Sequence, residues 1–272
     1  MEQVVRLVRP AIVLVKRLLI LVANIVFVLF LYFALIPIAY RDVSKLVGIV
    51  LAYGVTAYFV IPKIHRLLQS LYTPPFILGR TRTRDGILAD PINIGLVGTK
   101  EEISQCMRRA GWHQADPRIL RNSLRTAWCT ILKQPYPDAP VSDLYLYGRK
   151  QDLVFQQAVA GTPRKRHHVR FWKVDKSQSI DKIPTNLWLG AATYDNDISF
   201  SFFTGQITHA IDPDTDAERD YIISSLKQVK LIKKLHEIKQ YVPAYEHWND
   251  DGRKFFTSGS LKIGELKDPS GG

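Results

Sequence analysis

The stretch His167-His168-Val169-Arg170-Phe171-Trp172 places two imidazoles, a guanidinium and an indole within six residues. Read as a strand, it alternates: His167, Val169 and Phe171 share one face, and His168, Arg170 and Trp172 the other. The first face is the more apolar and is expected against the core. The second is expected to line a surface or groove. There His168 is a candidate general acid or base, Arg170 a candidate anion clamp and Trp172 a candidate binding surface. A solvated polar face beside the basic run Arg164-Lys165-Arg166 would account for the same residues.

His209 lies in Ile207-Thr208-His209-Ala210-Ile211, where, between two isoleucines, it reads by itself as a core histidine. It precedes the acids Asp212, Asp214, Asp216, Glu218 and Asp220. One or two acids favour the dipole of a following helix; five exceed that need. Asp212 and Asp195 are the candidates to orient a histidine, although Asp195, in Asp195-Asn196-Asp197, also reads as a hairpin turn residue. Ser142 is the one nucleophile nominated. Arg219 is expected to pair with one of the aspartates beside it. His168 and His209 are expected to meet at one pocket. A metal held by the same residues stays open, and no cofactor is named. The D-x-D-x-D run lacks the glycine and the twelfth-position acid of a calcium loop, having Ala217 and Ile223 there. G-x-S-x-G, H-E-x-x-H, paired C-x-x-C and Walker patterns are absent.

These side chains need a scaffold, and the patterning supplies one. Ile92 to Val97 reads as a strand. Thr99 with Glu102 forms a capping box for a helix to Arg109, and Gly111 ends it. Asp116-Pro117 opens a second helix to about Leu132. Closely spaced strands follow at 144–147, 154–159, 167–174, 187–194, 198–203 and 206–211. A long helix is expected from Pro213 to about Tyr241, with Ile222, Leu226, Val229 and Ile232 as its core face. A last strand is expected at 260–266. The fold class is α+β: a mixed, largely antiparallel sheet with flanking helices, preceded by a two-helix transmembrane hairpin.

That hairpin is read from Leu18 to Tyr40, which carries no charged side chain, and from Leu46 to Ile61. The first, as a helix, reaches about 34 Å, enough for a hydrocarbon core of roughly 30 Å. The expected organisation is a basic interfacial segment at 1–17, the hairpin at 18–62, a stalk and basic linker at 63–85, and the α+β domain at 86–272. Net charge is +12, from 37 Lys and Arg against 25 Asp and Glu. Much of it flanks the spans, so both termini are expected in the cytoplasm and membrane lipids are the expected partners. No nucleic-acid partner is expected. Cys106 and Cys129 are the only cysteines, which excludes a disulfide framework.

Six short segments occur in order: Asp90-Pro91-Ile92-Asn93, Ala110-Gly111-Trp112, Pro140-Val141-Ser142, the His167–Trp172 stretch, Gly190-Ala191-Ala192-Thr193-Tyr194-Asp195, and Ile211-Asp212-Pro213-Asp214 with Asp216-Ala217-Glu218-Arg219-Asp220. Together they resemble the LssY C-terminal-like domain family, over roughly Gly86 to Tyr241. In that family the domain is often fused to DedA-type and phosphatidic-acid-phosphatase-type membrane modules and is likened to carboxylic ester hydrolases. Neither module is present in this sequence. The resemblance implies a cytoplasmic-face domain in a membrane, in bacteria the inner membrane, hydrolysing ester or lipid-like substrates. The alternative is a non-catalytic module that binds anionic lipid headgroups or a membrane protein partner.

Overall fold

A computed structural model of the chain describes residues 26, 29, 33, 45–64, 79–84, 86–132, 134–159, 165–175, 183–201, 205–249 and 251–267. By its internal contacts the chain divides into two units, Met1–Thr73 with Thr204–Gln206, and Pro74–Phe203 with Ile207–Gly272. In the first, helix α1 (Lys45–Val55) continues through a π-helical turn, Thr56–Val60. Val47–Ile64 is one helix long and apolar enough to cross a membrane. Its large apolar side chains, among them Val50, Leu51 and Phe59, are exposed. The expected first span, Leu18 to Tyr40, lies almost wholly outside the described residues, as do the basic segment 1–17 and the turn 41–44.

The second unit is α+β. Its elements are β1 (Arg80–Thr83), β2 (Leu88–Pro91), β3 (Ile94–Val97), α2 (Lys100–Arg109), β4 (His113–Gln114), α3 (Leu120–Ile131), β5 (Leu144–Leu146), β6 (Arg149–Lys150), β7 (Leu153–Ala158), β8 (Arg166–Lys173), β9 (Leu187–Phe200), β10 (Ile207–Ile211), α4 (Thr215–Gln228), β11 (Ile232–Ile238), β12 (Tyr245–Trp248), β13 (Lys254–Thr257) and β14 (Leu261–Leu266). The large sheet runs β11-β14-β3-β9-β8-β7-β4, with β10 also on β9. Only the β14–β3 pair in it is parallel among the described strands. A smaller sheet runs β2-β1-β5-β6, and β12 and β13 form a hairpin.

The large sheet is covered on both faces. On one, Val169, Phe171, Trp188 and Ala192 pack with Ile103, Cys106 and Met107 of α2 and Ile222, Ile223 and Leu226 of α4. On the other, Trp172, Leu189 and Ala191 pack with Leu144 and Leu146 of the small sheet. This corrects the expected exposure of the His168–Arg170–Trp172 face. The small sheet caps it, and the three residues are 3%, 4% and 3% exposed.

Local chemistry sets the element ends. The Thr99–Glu102 capping box is present at α2. α4 begins at Asp214, whose carboxylate accepts from the amides of Asp216 and Ala217, not at Asp212. It also ends early. Lys230 takes a left-handed φ of 58°, and the chain turns into β11, so the expected helix to Tyr241 is a helix followed by a strand. Arg80–Thr83, inside the expected linker, is β1. Asp195 does not turn a hairpin. β9 runs through it for 14 residues. The pairing register instead shifts beside it, with Ala210 opposite Asp197 and Ile211 opposite Asp195, so Asn196 is a β-bulge.

Candidate functional site

Strand alternation, with β8 and β9 in register at Arg166↔Asp195, His168↔Thr193 and Arg170↔Ala191, sends a row of polar side chains to the face capped by the small sheet. Asp195 is the centre. Arg166 Nε donates to its Oδ2 at 3.0 Å. His168 Nδ1 stands 3.5 Å from Oδ1, and His209 Nδ1, from β10, 3.6 Å from Oδ2. The two histidines therefore face the two oxygens of one carboxylate. Arg166 also donates to Gln156 Oε1 at 3.1 Å, and its Nη2 lies 3.4 Å from His209 Nε2. A guanidinium can only donate, so Nε2 of His209 is the acceptor and its proton belongs on Nδ1, towards Asp195. The other nitrogen of His168, Nε2, is 2.9 Å from Thr193 Oγ1.

A second ion pair continues the row. Arg170 Nη1 donates to Asp90 Oδ2 at 2.8 Å, and Arg170 Nε donates to the Ser142 carbonyl at 3.2 Å. Burial dominates the electrostatics. It lowers His168 well below the ordinary histidine value and lowers His209 as well, so both imidazoles are neutral near pH 7. Burial also pushes the Asp90 carboxyl up, against the pull of Arg170. At Asp195 burial pushes up too, but its partners outweigh it and hold the carboxyl below the usual carboxylate range, and with both imidazoles neutral the charge that does so is the Arg166 guanidinium. The His168 and His209 Nδ1 atoms are buried and make no close hydrogen bond to the Asp195 carboxylate. Each needs only a few tenths of an ångström to close on Asp195. Side-chain exposure separates the members: 3% for Asp195 and His168 and 5% for Arg166, but 32% for His209. His209 is the point at which the cluster reaches solvent.

The other expected site residues lie elsewhere. Arg170 is no open anion clamp, because Asp90 and the Ser142 carbonyl occupy a guanidinium that is 5% exposed. Trp172 donates to the Arg149 carbonyl from within the core between the sheets and offers no binding surface. Ser142 joins the row through its backbone oxygen, with its side chain outside the buried row. Asp212 Oδ1 accepts from the Asp214 amide, a local turn before α4, and orients neither histidine. Arg219 pairs with Asp216 at 3.1 Å and Asp220 at 2.9 Å, and with Ser260. Among the described residues no group of three or more metal-ligating side chains has the geometry to hold a metal ion.

Sequence reasoning missed Asp90, Arg166, Gln156 and Thr193. Asp90 and Thr193 stand in the ordered segments quoted above, which was the available signal. Arg166 stands in the sequence as the last of three successive basic residues, whereas its side chain is buried in the Asp195 row. A further pair was missed on the opposite face of β8. His167 Nδ1 lies 2.7 Å from Glu218 Oε2 on α4, and its ring stacks on Tyr221 at 4.1 Å and tilts over Tyr194 at 4.6 Å. Burial raises the Glu218 carboxyl.

The fold and the cluster define an α+β domain in which two sheets enclose a row of charged side chains that opens at one histidine. A family model for the LssY C-terminus matches residues 70–261. The chain belongs to the LssY C-terminal family. No curated protein and no solved structure matches it.

Proposed function

We propose that this chain is a membrane-anchored hydrolase of ester or lipid-like substrates, working on the cytoplasmic face with His209 as its general base. The observation that carries the proposal is the convergence of His168 and His209 on the two oxygens of Asp195, with His209 alone reaching solvent. A neutral imidazole with its Nδ1 proton towards a buried carboxylate carries its lone pair on Nε2, which takes a proton once the long 3.4 Å contact with Arg166 Nη2 gives way to water. In the proposed reaction Nε2 takes a proton from water as its oxygen adds to the ester carbonyl carbon. The acyl–oxygen bond then breaks, and the imidazolium returns the proton to the leaving alkoxide. Asp195 stabilises the imidazolium between these steps. His168 and Arg166 position Asp195. The apolar helix Val47–Ile64 fits a membrane setting. The anchor is proposed as the two-span hairpin, with both termini cytoplasmic.

The alternative, a binding module for anionic headgroups or a membrane protein, is supported by the closed ion pairs of Arg170 and Asp90, which leave most of the row inaccessible. The test is hydrolysis of p-nitrophenyl acyl esters of increasing chain length by the full chain in uncharged detergent. The proposal expects turnover above the buffer rate, with His209→Gln lowering it by about 10²–10⁴-fold, the usual value of a general base. No turnover, or equal turnover by His209→Gln, would leave the binding module as the account.

A further inference from the structure

A cavity of about 450 Å³ opens on the small sheet, apart from the Asp195 row. Strand β1 runs Arg80-Thr81-Arg82-Thr83 into Arg84, so arginines recur at alternate positions. All three line the cavity, with Tyr145 and Tyr147. Arg82 stands directly opposite Tyr145 in the β1–β5 register, which puts the two side chains on one face. Among the described residues none that lines the cavity is acidic.

The arginines differ in their restraint. Arg80 is buried. Its Nε donates to the Ala89 carbonyl at 3.0 Å, and its guanidinium lies 5.2 Å from the Phe255 ring centroid and 5.6 Å from that of Tyr245. It is a fixed positive wall at the back. Arg82 is half-buried and Arg84 exposed, so they sit progressively nearer the mouth. Tyr147 turns the β5–β6 hairpin with a left-handed φ of 50°, a conformation that a side chain bearing a Cβ adopts at a cost. That turn holds Tyr147 on the cavity wall.

We propose that this cavity binds the phosphate of a phosphorylated ligand. Guanidinium groups offer paired N–H donors at the spacing of phosphate oxygens, which an ammonium does not. Arg84 at the mouth, with Arg82 behind it, presents guanidinium donors to a dianion, and Arg80, which also faces Asp90, adds positive charge at the back. The tyrosine rings supply apolar walls for the carbon skeleton that carries the phosphate, and their hydroxyls donate at its edge. The volume lies within the range of small-ligand pockets. A lipid headgroup and a soluble phosphate ester present the same chemistry here. The site stands whether or not the hydrolase proposal does.

The experiment uses the full chain in nanodiscs of phosphatidylcholine, with the arginine Nε–H signals followed by NMR as inorganic phosphate is added at constant ionic strength. The expected result is saturable movement of the Arg82 and Arg84 signals. Arg84→Gln, at an exposed position that cannot unfold the sheet, should weaken binding about tenfold, the equivalent of one charge-assisted hydrogen bond. Discs containing phosphatidic acid separate the sources. A lipid ligand moves the same signals before phosphate is added, and a soluble ligand leaves them until it is. Movement that never saturates, or equal affinity in Arg84→Gln, overturns the proposal.

Discussion

Replacing Asp195 by Asn keeps the shape of the side chain and removes its charge. Arg166 is 5% exposed and donates to Asp195 at 3.0 Å, so its cation would lose its one carboxylate partner among the described residues. Removing one member of a buried ion pair costs roughly 3–5 kcal/mol, because the other charge stays desolvated. Asn still accepts from Arg166 through its amide oxygen, which places Asp195→Asn near the lower figure, about 3 kcal/mol. For a domain of this size that is a drop of roughly 6–12 °C in the melting temperature. The assay is thermal unfolding of the full chain in detergent, followed by tryptophan fluorescence. Asp212→Asn is the control, since among the described residues that carboxylate accepts from the nearby Asp214 amide. It should cost no more than about 1 kcal/mol. Arg166→Met combined with Asp195→Asn should recover most of the loss, because the unpaired charge goes with it. Equal shifts for Asp195→Asn and Asp212→Asn, or an additive double variant, would refute the reasoning.

Stability should fall as pH drops below about 6.5. Burial holds His168 and His209 below their unfolded value, so the unfolded chain takes up protons that the folded chain does not, and their contribution is lost towards acid. Glu218 and Asp90, raised by burial, act in the opposite sense at lower pH, so the test is a difference. His209→Gln should flatten the acid slope by up to about 1.4 kcal/mol per pH unit, read from urea midpoints at pH 5 to 7. Gly190→Ala would place a Cβ 2.7 Å from Ile94 Cγ2 and Phe171 Cε1 in the helix-covered core. It should cost about 1–3 kcal/mol, measured by chemical unfolding. A fragment starting at Gly86 lacks β1, the strand that joins β2 to β5. It should melt below one that starts at Pro74, in a side-by-side thermal scan.

Much of the scaffold was legible because it rests on local chemistry. The Thr99–Glu102 box, the apolar run at 94–97 and the alternation of β8 each express a short-range rule. The largest misreadings trace to β-bulges. In β11 the register shifts between Ile232 and Lys234. The bulge lets Ile232 and Leu235 face one side of the sheet while Ile238 faces the other, covered side, so a spacing of three, which is a helical signal, sits on a strand. At Asn196 an acidic, turn-like triplet is absorbed by a bulge in β9 instead of ending it. The site was legible as residue types but not as an arrangement. His168, Asp195 and His209 were each nominated, yet Arg166, which carries the balancing charge, stands in the sequence as the last of three successive basic residues. Which face of β8 was covered depended on a second, four-stranded sheet, whose strand β1, Arg80-Thr81-Arg82-Thr83, resembles a basic linker. That is a tertiary fact, invisible to periodicity.

The central claim is that a neutral His209 backed by Asp195 takes a proton during ester hydrolysis. The most direct measurement is the pH dependence of kcat/KM for an acyl ester with the full chain. The account predicts an acid limb whose midpoint lies below 6.5, since burial depresses His209. In Asp195→Asn the midpoint should move further towards acid, because a carboxylate that favours the imidazolium is gone. A rate that is flat across pH 5 to 8, or a limb unmoved by Asp195→Asn, would contradict it.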